Sequence, residues 1–415
     1  MALDSPFPDG ADRRERLVVV GAGMAGTRLL AELARRCPDR YAVTMLGAEP
    51  HDPYNRILLS SLLAGEREIA DLALEDATAL AGARFRLGDP VAALDREQRI
   101  ATTQSGARIA YDRLVLAVGA GPVRPKLPGI ELPGVFTFRD RSDAEALIAA
   151  SREAERAIVV GGGLLGLEAA YGLARRGVRV TVVHLMDWLM ERQLDAAAAA
   201  LLHRSLAARG IEVLLTAETE AVLGPNRASG LRLKDGRVLS ADLVVFAIGI
   251  RPDIALAHAA GLEVRRGVVV DDRMTTSDPA VFAIGECAEH RGATYGLVAP
   301  LWEQTAVLAA FLAGDGDSRY HGSLSATSLK VTGIELFSAG QIEAGCDSEE
   351  IVYEDPEAGI YRKLVLKHGR LAGAVLLGDA RDGGWYVELM RDAADIGAMR
   401  QALVFGRDFA AAGEA

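Results

Sequence analysis

The run Leu17-Val18-Val19-Val20-Gly21-Ala22-Gly23-Met24-Ala25-Gly26 decides the fold. Four consecutive apolar residues are too few for a helix and suit a strand buried on both faces of a parallel sheet. The glycines that follow stand in the G-x-G-x-x-G spacing. Gly21 permits a tight turn, Gly23 lets the backbone approach a pyrophosphate, and Gly26 lets helix and strand pack closely. Downstream, Leu29, Leu30, Leu33 and Ala34 mark one face of a helix with Arg35 and Arg36 in its last turn, and Tyr41–Leu46 reads as the second strand. A βαβ unit of this kind offers its helix N-terminus to an anion. The pattern returns at Ala157–Val160, with Gly161-Gly162-Gly163-Leu164-Leu165-Gly166, a helix to Arg176, a stop at Gly177 and the strand Val178–Val183. One such motif is weak evidence. Two, each correctly flanked, predict an α/β chain with two dinucleotide sites.

At 415 residues, half of them hydrophobic and a quarter charged, the chain has the length for two or three domains with sizeable cores. A formal net charge of −11 argues against nucleic acid or an anionic membrane as the main partner. It suits docking to a basic patch on another protein, or simply solubility. Met1–Arg16, with Pro6, Pro8 and a charged run, reads as a disordered lead-in without the features of a signal peptide. No apolar run nears the roughly 20 residues that span a bilayer. Cys37, Cys287 and Cys346 are scattered, with no C-x-x-C, so neither a disulfide framework nor a metal site is expected. A reducing cytoplasm is the expected compartment.

Between the two motifs, Pro53 makes His51–Ser61 a loop leading into a short helix. Val91–Leu94 and Ile100–Thr103 read as neighbouring strands, and Leu114–Val118 as a buried strand stopped by Gly119. The cluster from Gly121 and Pro122 to Pro133 and Gly134 marks a domain boundary. Ser142-Asp143-Ala144-Glu145 predicts a capping box opening a helix. An Ala-rich helix is expected over roughly Asp195–Ala208, then strands Leu243–Ile248 and Val281–Glu286. Pro300 sits where the first residue of a helix Leu301–Leu312 belongs. Strands Leu329–Val331, Glu335–Phe337, Ile360–Leu366 and Leu371–Leu377, then a helix Trp385–Ala402, predict a small α+β domain.

The two nucleotide units and the strand ending at Gly285-Glu286 resemble the two-dinucleotide flavoprotein superfamily of disulfide, ferredoxin and rubredoxin reductases. Finer features are similar to the flavin portion of NADH-dependent assimilatory nitrite reductase large subunits. They are Pro53-Tyr54-Asn55-Arg56-Ile57-Leu58-Leu59-Ser60-Ser61, Ile284–Ala288, Tyr295–Pro300, His184–Glu191 and Leu329-Lys330-Val331-Thr332-Gly333. Ferredoxin reductases usually carry lysine where Ser61 stands; this nitrite reductase branch has serine. The resemblance implies two Rossmann-like domains plus a small C-terminal α+β domain. The FAD-binding domain would span 1–122 and 250–320, the NAD(P)-binding domain 123–249, and the small domain 321–415. It implies FAD in the first unit and NAD(P)H, with NADH favoured, in the second. The large subunits continue into [2Fe–2S] and sirohaem modules; this sequence stops before either. That leads to the expectation of a separate iron–sulfur or haem protein as electron acceptor.

Site residues follow from motif and resemblance together. FAD's pyrophosphate would lie on the amides of Gly23, Met24, Ala25 and Gly26. Glu49 is the candidate ribose acceptor, against a solvated loop acid. Arg56 would steady the phosphates or the flavin edge, or else form a surface salt bridge. Glu286 would accept from the ribityl hydroxyls, on a longer arm than the aspartate of related proteins. Val91, Ala117, Gly119, Gly285 and Val298 complete the flavin set, and the helix at Pro300 would stabilise negative charge on reduced flavin. Gly161, Gly163, Leu165 and Gly166, with Gly249, would hold NAD(P)H. His184 takes the end-of-strand place usual for an acid at the ribose. A neutral imidazole there accepts from a 2′-hydroxyl, and a protonated one favours a 2′-phosphate. Glu168 is an acid at the nicotinamide side or a first-turn acid complementing the helix dipole. Glu168 and Ser61 are the candidate catalytic pair, while Cys287 reads as a buried structural thiol. The implied activity passes electrons from NADH through FAD to an acceptor of nitrite or nitrate reduction. A rubredoxin or ferredoxin reductase, an NADH oxidase, and a flavin-holding subunit without turnover are the rivals.

Overall fold

The computed structural model describes residues 14–74, 82–329 and 331–412. The lead-in up to residue 13 and Lys330, inside the expected strand Leu329–Val331, lie outside the described residues. Helices run in the order α1 (Met24–Arg36), α2 (Leu59–Leu63), α3 (Arg141–Ala150), α4 (Leu164–Arg175), α5 (Ala196–Ala207), α6 (Ala255–Ala259), α7 (Val298–Ala313), α8 (Gly383–Arg391) and α9 (Arg407–Ala412). Two compact units emerge. One gathers the described residues of Met1–Ile57, Ile69–Gly121 and Ile250–Ser323, the other those of Leu58–Glu68, Pro122–Gly249 and Leu324–Ala415.

The first unit is built on Glu15–Val20, whose Leu17, Val18 and Val19 are at most 1% exposed. Fully burying each such side chain contributes roughly 2 kcal/mol, which explains why an unbroken apolar run becomes a central strand. It pairs in parallel with Tyr41–Leu46 on one side and Arg113–Leu116 on the other. Val281–Ala283 and Arg84–Arg86 complete a parallel five-stranded sheet. An antiparallel meander, Val91–Asp95, Ile100–Thr103 and Arg108–Ala110, precedes the return strand. Helix α1 packs against α7.

The second unit repeats this plan. Arg156–Val160 lies between Arg179–Val183 and Leu243–Phe246, with Ile211–Leu214 and Val135–Thr137 at the edges, all parallel. Again a three-stranded antiparallel meander, Thr219–Leu223, Gly230–Leu233 and Val238–Ser240, precedes the return strand. Segment 58–68 groups with this unit because α2 packs on α4. The last part of the chain adds an antiparallel sheet in the order Ala326–Ser328, Leu336–Gly340, Arg370–Leu377, Ile360–Lys367, Ser348–Asp355, with α8 on one face. An ion cluster around the buried Lys363 ties this sheet to α5. The Lys363 ammonium lies 3.1 Å from Asp195 and 2.6 Å from Glu350, and the Tyr361 hydroxyl donates to Asp195 at 2.6 Å. Burial works to lower the ammonium's pKa, and the two carboxylates outweigh it and raise it. Asp195 also caps α5 by accepting from the Ala198 N–H at 3.0 Å.

Three local expectations change. Helix α3 starts one residue ahead of Ser142, capped by Asp140, which accepts from the Asp143 N–H at 2.9 Å while Asp143 accepts from the Arg139 N–H at 2.8 Å. Helix α7 begins at Val298, so Pro300 is its third residue. Its missing N–H costs nothing there, since the first turn has no intrahelical acceptor. The expected helix Trp385–Ala402 stops at Arg391, where Ala393 takes a left-handed φ of 47°. A short helical turn, Leu403–Phe405, and α9 follow.

Candidate functional site

In the first unit the parallel register brings the loop after Val20 to the carboxyl edge of the sheet, where open α/β sheets bind ligands. Gly21 has φ of +115°, and a Cβ there would lie 2.1 Å from the Ala117 carbonyl oxygen. A Cβ on Gly26 would lie 2.3 Å from the Gly21 carbonyl oxygen. Both positions therefore require glycine for the protein's own packing. Gly23 differs: its backbone is extended, with φ −85° and ψ −172°, and a Cβ would meet nothing within 4 Å. It is the N-cap of α1, yet it brings no side-chain cap and no acid stands in the first turn. The first-turn amides thus lie at a positive helix end with no side-chain cap and with room beside the Gly23 backbone, a cradle that fits a pyrophosphate.

Gly285, Glu286 and Cys287 form a short helical turn beside this cradle. A Cβ on Gly285 would come within 3.2 Å of the Ala25 Cβ, and its N–H donates to Gln304 Oε1 at 2.8 Å. Glu286 Oε2 lies 3.5 Å from where a Cβ on Gly119 would stand, so a half-buried carboxylate borders the Gly119 backbone. Glu49 holds two donors, the Tyr54 hydroxyl at 2.8 Å and Arg56 at 2.5 Å, and the Arg56 guanidinium lies 5.3 Å from the Tyr54 ring centroid. Burial works to lower the Arg56 pKa, but Tyr54, Glu49 and Glu286 outweigh it and raise it. The Arg56 guanidinium is thus ion-paired with Glu49 in the unit that carries the first cradle. Val91 packs against the unit's core within the meander, and Val298 opens α7. Cys287 is fully buried, its thiol 3.3 Å from the Ile284 carbonyl. Burial pushes its pKa up to about 11, the property of an inert thiol.

The second unit reproduces the cradle. Gly161 has φ of +121° and a Cβ there would lie 2.3 Å from the Ala247 carbonyl oxygen; on Gly166 it would lie 1.9 Å from the Gly161 carbonyl oxygen. Gly163 is the N-cap of α4, extended at φ −86° and ψ −176°, with no side-chain cap and open space at its Cβ position. Leu165 sits in the first turn and Gly249 takes φ of +115° with open space beside it. A second dinucleotide fits by the same argument. His184 ends the second strand as expected, but both ring nitrogens are engaged. Nδ1 accepts from the Gly162 N–H at 3.0 Å, and Nε2 lies 3.0 Å from the Trp188 carbonyl and 3.2 Å from Glu191. In this arrangement both ring nitrogens of His184 face partners within the protein.

Glu168 lies in the second turn of α4 with 4% exposure, and the hydroxyl on its carboxylate comes from Ser60, also 4% exposed, rather than from Ser61. Helix α2 is held along α4 at several points. The Arg176 guanidinium donates to the Leu63 and Leu62 carbonyls at 2.6 and 3.1 Å. The Tyr171 hydroxyl donates to Glu66 at 3.2 Å, and Gly172 leaves room for the Leu63 side chain. Ser60 was missed because two adjacent serines are indistinguishable without the helix phase. The available signal was its place among Leu59, Leu62 and Leu63, the buried face of α2.

Among the described residues no group of three His, Cys, Asp or Glu side chains is arranged to hold a metal, and no helix is long and apolar enough to cross a membrane. Residues 15–307 match the pyridine nucleotide-disulphide oxidoreductase family, and residues 326–394 match the rubredoxin NAD+ reductase C-terminal domain. A nitrite reductase [NAD(P)H] of Bacillus subtilis is 44% identical over 92% of this chain and 48% of its own length. The assimilatory nitrate reductase electron transfer subunit of the same species is 39% identical over 94% of this chain and 51% of its own. The chain thus spans about half the length of these curated relatives. The ferredoxin reductase for the CYP199A2 system from Rhodopseudomonas palustris superposes with a TM-score of 0.83 at 26% identity, covering 94% of this chain and all of that one. Two glycine cradles on duplicated parallel sheets and a family match across most of the sequence agree: the chain belongs to the pyridine nucleotide-disulphide oxidoreductase family.

Proposed function

We propose that this chain is a cytoplasmic FAD-dependent NAD(P)H oxidoreductase that passes electrons to a separate iron–sulfur or haem protein of nitrite or nitrate reduction. The observation that carries the reading is the pair of matching cradles at Gly23 and Gly163, each an N-cap without a side-chain cap and with open space at its Cβ position. The similarity to a nitrite reductase and to a nitrate reductase electron transfer subunit supports the physiological context. Three free cysteines with no disulfide suit a reducing compartment.

Bound FAD supplies two-electron acceptance from a hydride donor and release of electrons to a metal centre. In this assignment the amides from Gly23 to Gly26 hold its pyrophosphate, Glu286 accepts from its ribityl hydroxyls, and Gly119 and Gly285 give the backbone close approach. Glu49 stands past the second strand for the ribose, oriented by Tyr54 and Arg56. The FAD-binding part is the first unit, and the NAD(P)-binding part is the stretch Pro122–Gly249 of the second. There Gly161, Gly163, Leu165 and Gly166 hold the pyridine nucleotide, with NADH favoured, and Gly249 leaves room beside them. Glu168, fixed by Ser60, offers a buried carboxylate in the second turn of the same helix for orienting the nicotinamide.

A rubredoxin reductase is the second reading, favoured by the match over residues 326–394. The acceptor separates the two. Nitrite reduction to ammonia takes more electrons than one flavin delivers, and three cysteines fall short of the four thiolates that hold an iron–sulfur cluster. The FAD-loaded 415-residue chain should therefore oxidise NADH with ferricyanide and show no sustained NADH oxidation with nitrite as sole acceptor. Nitrite-dependent turnover by this chain contradicts the reading, and turnover with rubredoxin but not with a nitrite reductase partner favours the second.

A further inference from the structure

His184 is 7% exposed, and the loop between the second strand and α5 is folded around its ring. A backbone amide only donates, so the Gly162 N–H at 3.0 Å makes Nδ1 an acceptor and the ring neutral, with its proton on Nε2. Nε2 then faces two acceptors, the Trp188 carbonyl and the Glu191 carboxylate. The same segment returns to Gly162 from the other side, where Met190 N–H donates to the Gly162 carbonyl at 3.0 Å. Both backbone groups of the middle glycine are thus taken by residues 184–190. A Cβ on Gly162 would come to 2.7 Å from His184 Cγ and 2.6 Å from Leu189 Cδ2, so this glycine is shaped to the imidazole. Gly162 links Gly161, packed under the Ala247 carbonyl, to Gly163, the N-cap of α4.

We infer that His184 is a positioning residue of the pyridine nucleotide site, holding the glycine loop through Gly162 rather than touching the ribose. This rests on the second unit being the NAD(P)H site. A loop held by both backbone groups presents the amides of α4 already aimed, so little ordering cost falls on binding. Without the acceptor at Nδ1, the Gly162 N–H loses its partner in a buried place, and the loop rearranges to satisfy it. Asparagine carries an oxygen where Nδ1 stands and can keep that contact; leucine fills similar space without an acceptor.

The test uses the FAD-loaded chain and its His184→Leu and His184→Asn variants. NAD+ affinity is measured by calorimetry, and KM and kcat for NADH and NADPH with ferricyanide. The expected result is NAD+ binding by the wild type, about tenfold weaker in His184→Leu, with KM for NADH rising in step. In that variant kcat and flavin content stay within about twofold of wild type, and His184→Asn recovers both affinity and KM, with the NADH/NADPH ratio unchanged. Should His184→Leu not fold, His184→Gln, which misplaces its amide relative to Nδ1, is expected to show the same loss. Unchanged NAD+ affinity in the variant without the acceptor overturns the inference. So does an asparagine variant as weak as leucine, or one with an altered NADH/NADPH ratio. Absence of NAD+ binding by the wild type overturns the assignment of the second unit and the inference with it.

Discussion

Gly23→Val should give a folded protein that does not retain FAD. The extended backbone at Gly23 is one that valine adopts freely, and the space around its Cβ position holds no protein atom within 4 Å. The three added side-chain carbons therefore start into open space. They project from the N-cap of α1, where the backbone must approach a pyrophosphate, and separate phosphate from amides. Flavin content should fall from about one per chain to less than about a tenth, with circular dichroism unchanged. Gly21→Val would not be informative, because a side chain there collides with the Ala117 carbonyl at a left-handed φ and damages the sheet itself. Normal flavin content in Gly23→Val would remove FAD from the first cradle.

Gly163→Val makes the complementary change. Its backbone and open surroundings match those of Gly23 closely. FAD should remain bound, because the other glycine loop is untouched, while kcat/KM for NADH falls about a hundredfold, chiefly through KM. That loss corresponds to about 2.7 kcal/mol of binding to the pyrophosphate, a loss felt alike in ground and transition states. A variant that loses flavin but keeps its nucleotide kinetics would mean the two cofactor assignments are reversed.

Both glycine loops were legible in the sequence because their backbone demands leave almost no choice of residue. Gly21 and Gly161 take left-handed φ values and sit against carbonyl oxygens, and Gly26 and Gly166 touch the preceding turn. The apolar runs before them announced buried parallel strands for a similarly direct reason. What stayed hidden depends on partners distant in sequence. Ser60 meets Glu168 where α2 and the residues just after it are clamped by Arg176 and Tyr171, partners 105 residues or more along the chain. His184 is engaged by a backbone amide 22 residues away, a partner that no side-chain pattern announces. The strand Ser348–Asp355 escaped because its mixed order of acids and apolar residues lacks clean alternation, at a sheet edge where one side needs no pairing. The C-terminal helix was overextended because the chain from Asp392 to Gly397 carries helix-compatible alanines, yet Ala393 turns left-handed and Asp395 accepts from the Gly397 N–H at 2.9 Å.

With both cradles filled, NADH should reduce a flavin held by this chain. Anaerobic titration of the FAD-loaded protein with NADH, followed at the flavin absorption band, tests it most directly. Bleaching should be complete at about one NADH per flavin, and the yellow colour should return when ferricyanide is added. Flavin that stays oxidised with excess NADH would contradict it and leave a protein that holds the cofactor without turning it over.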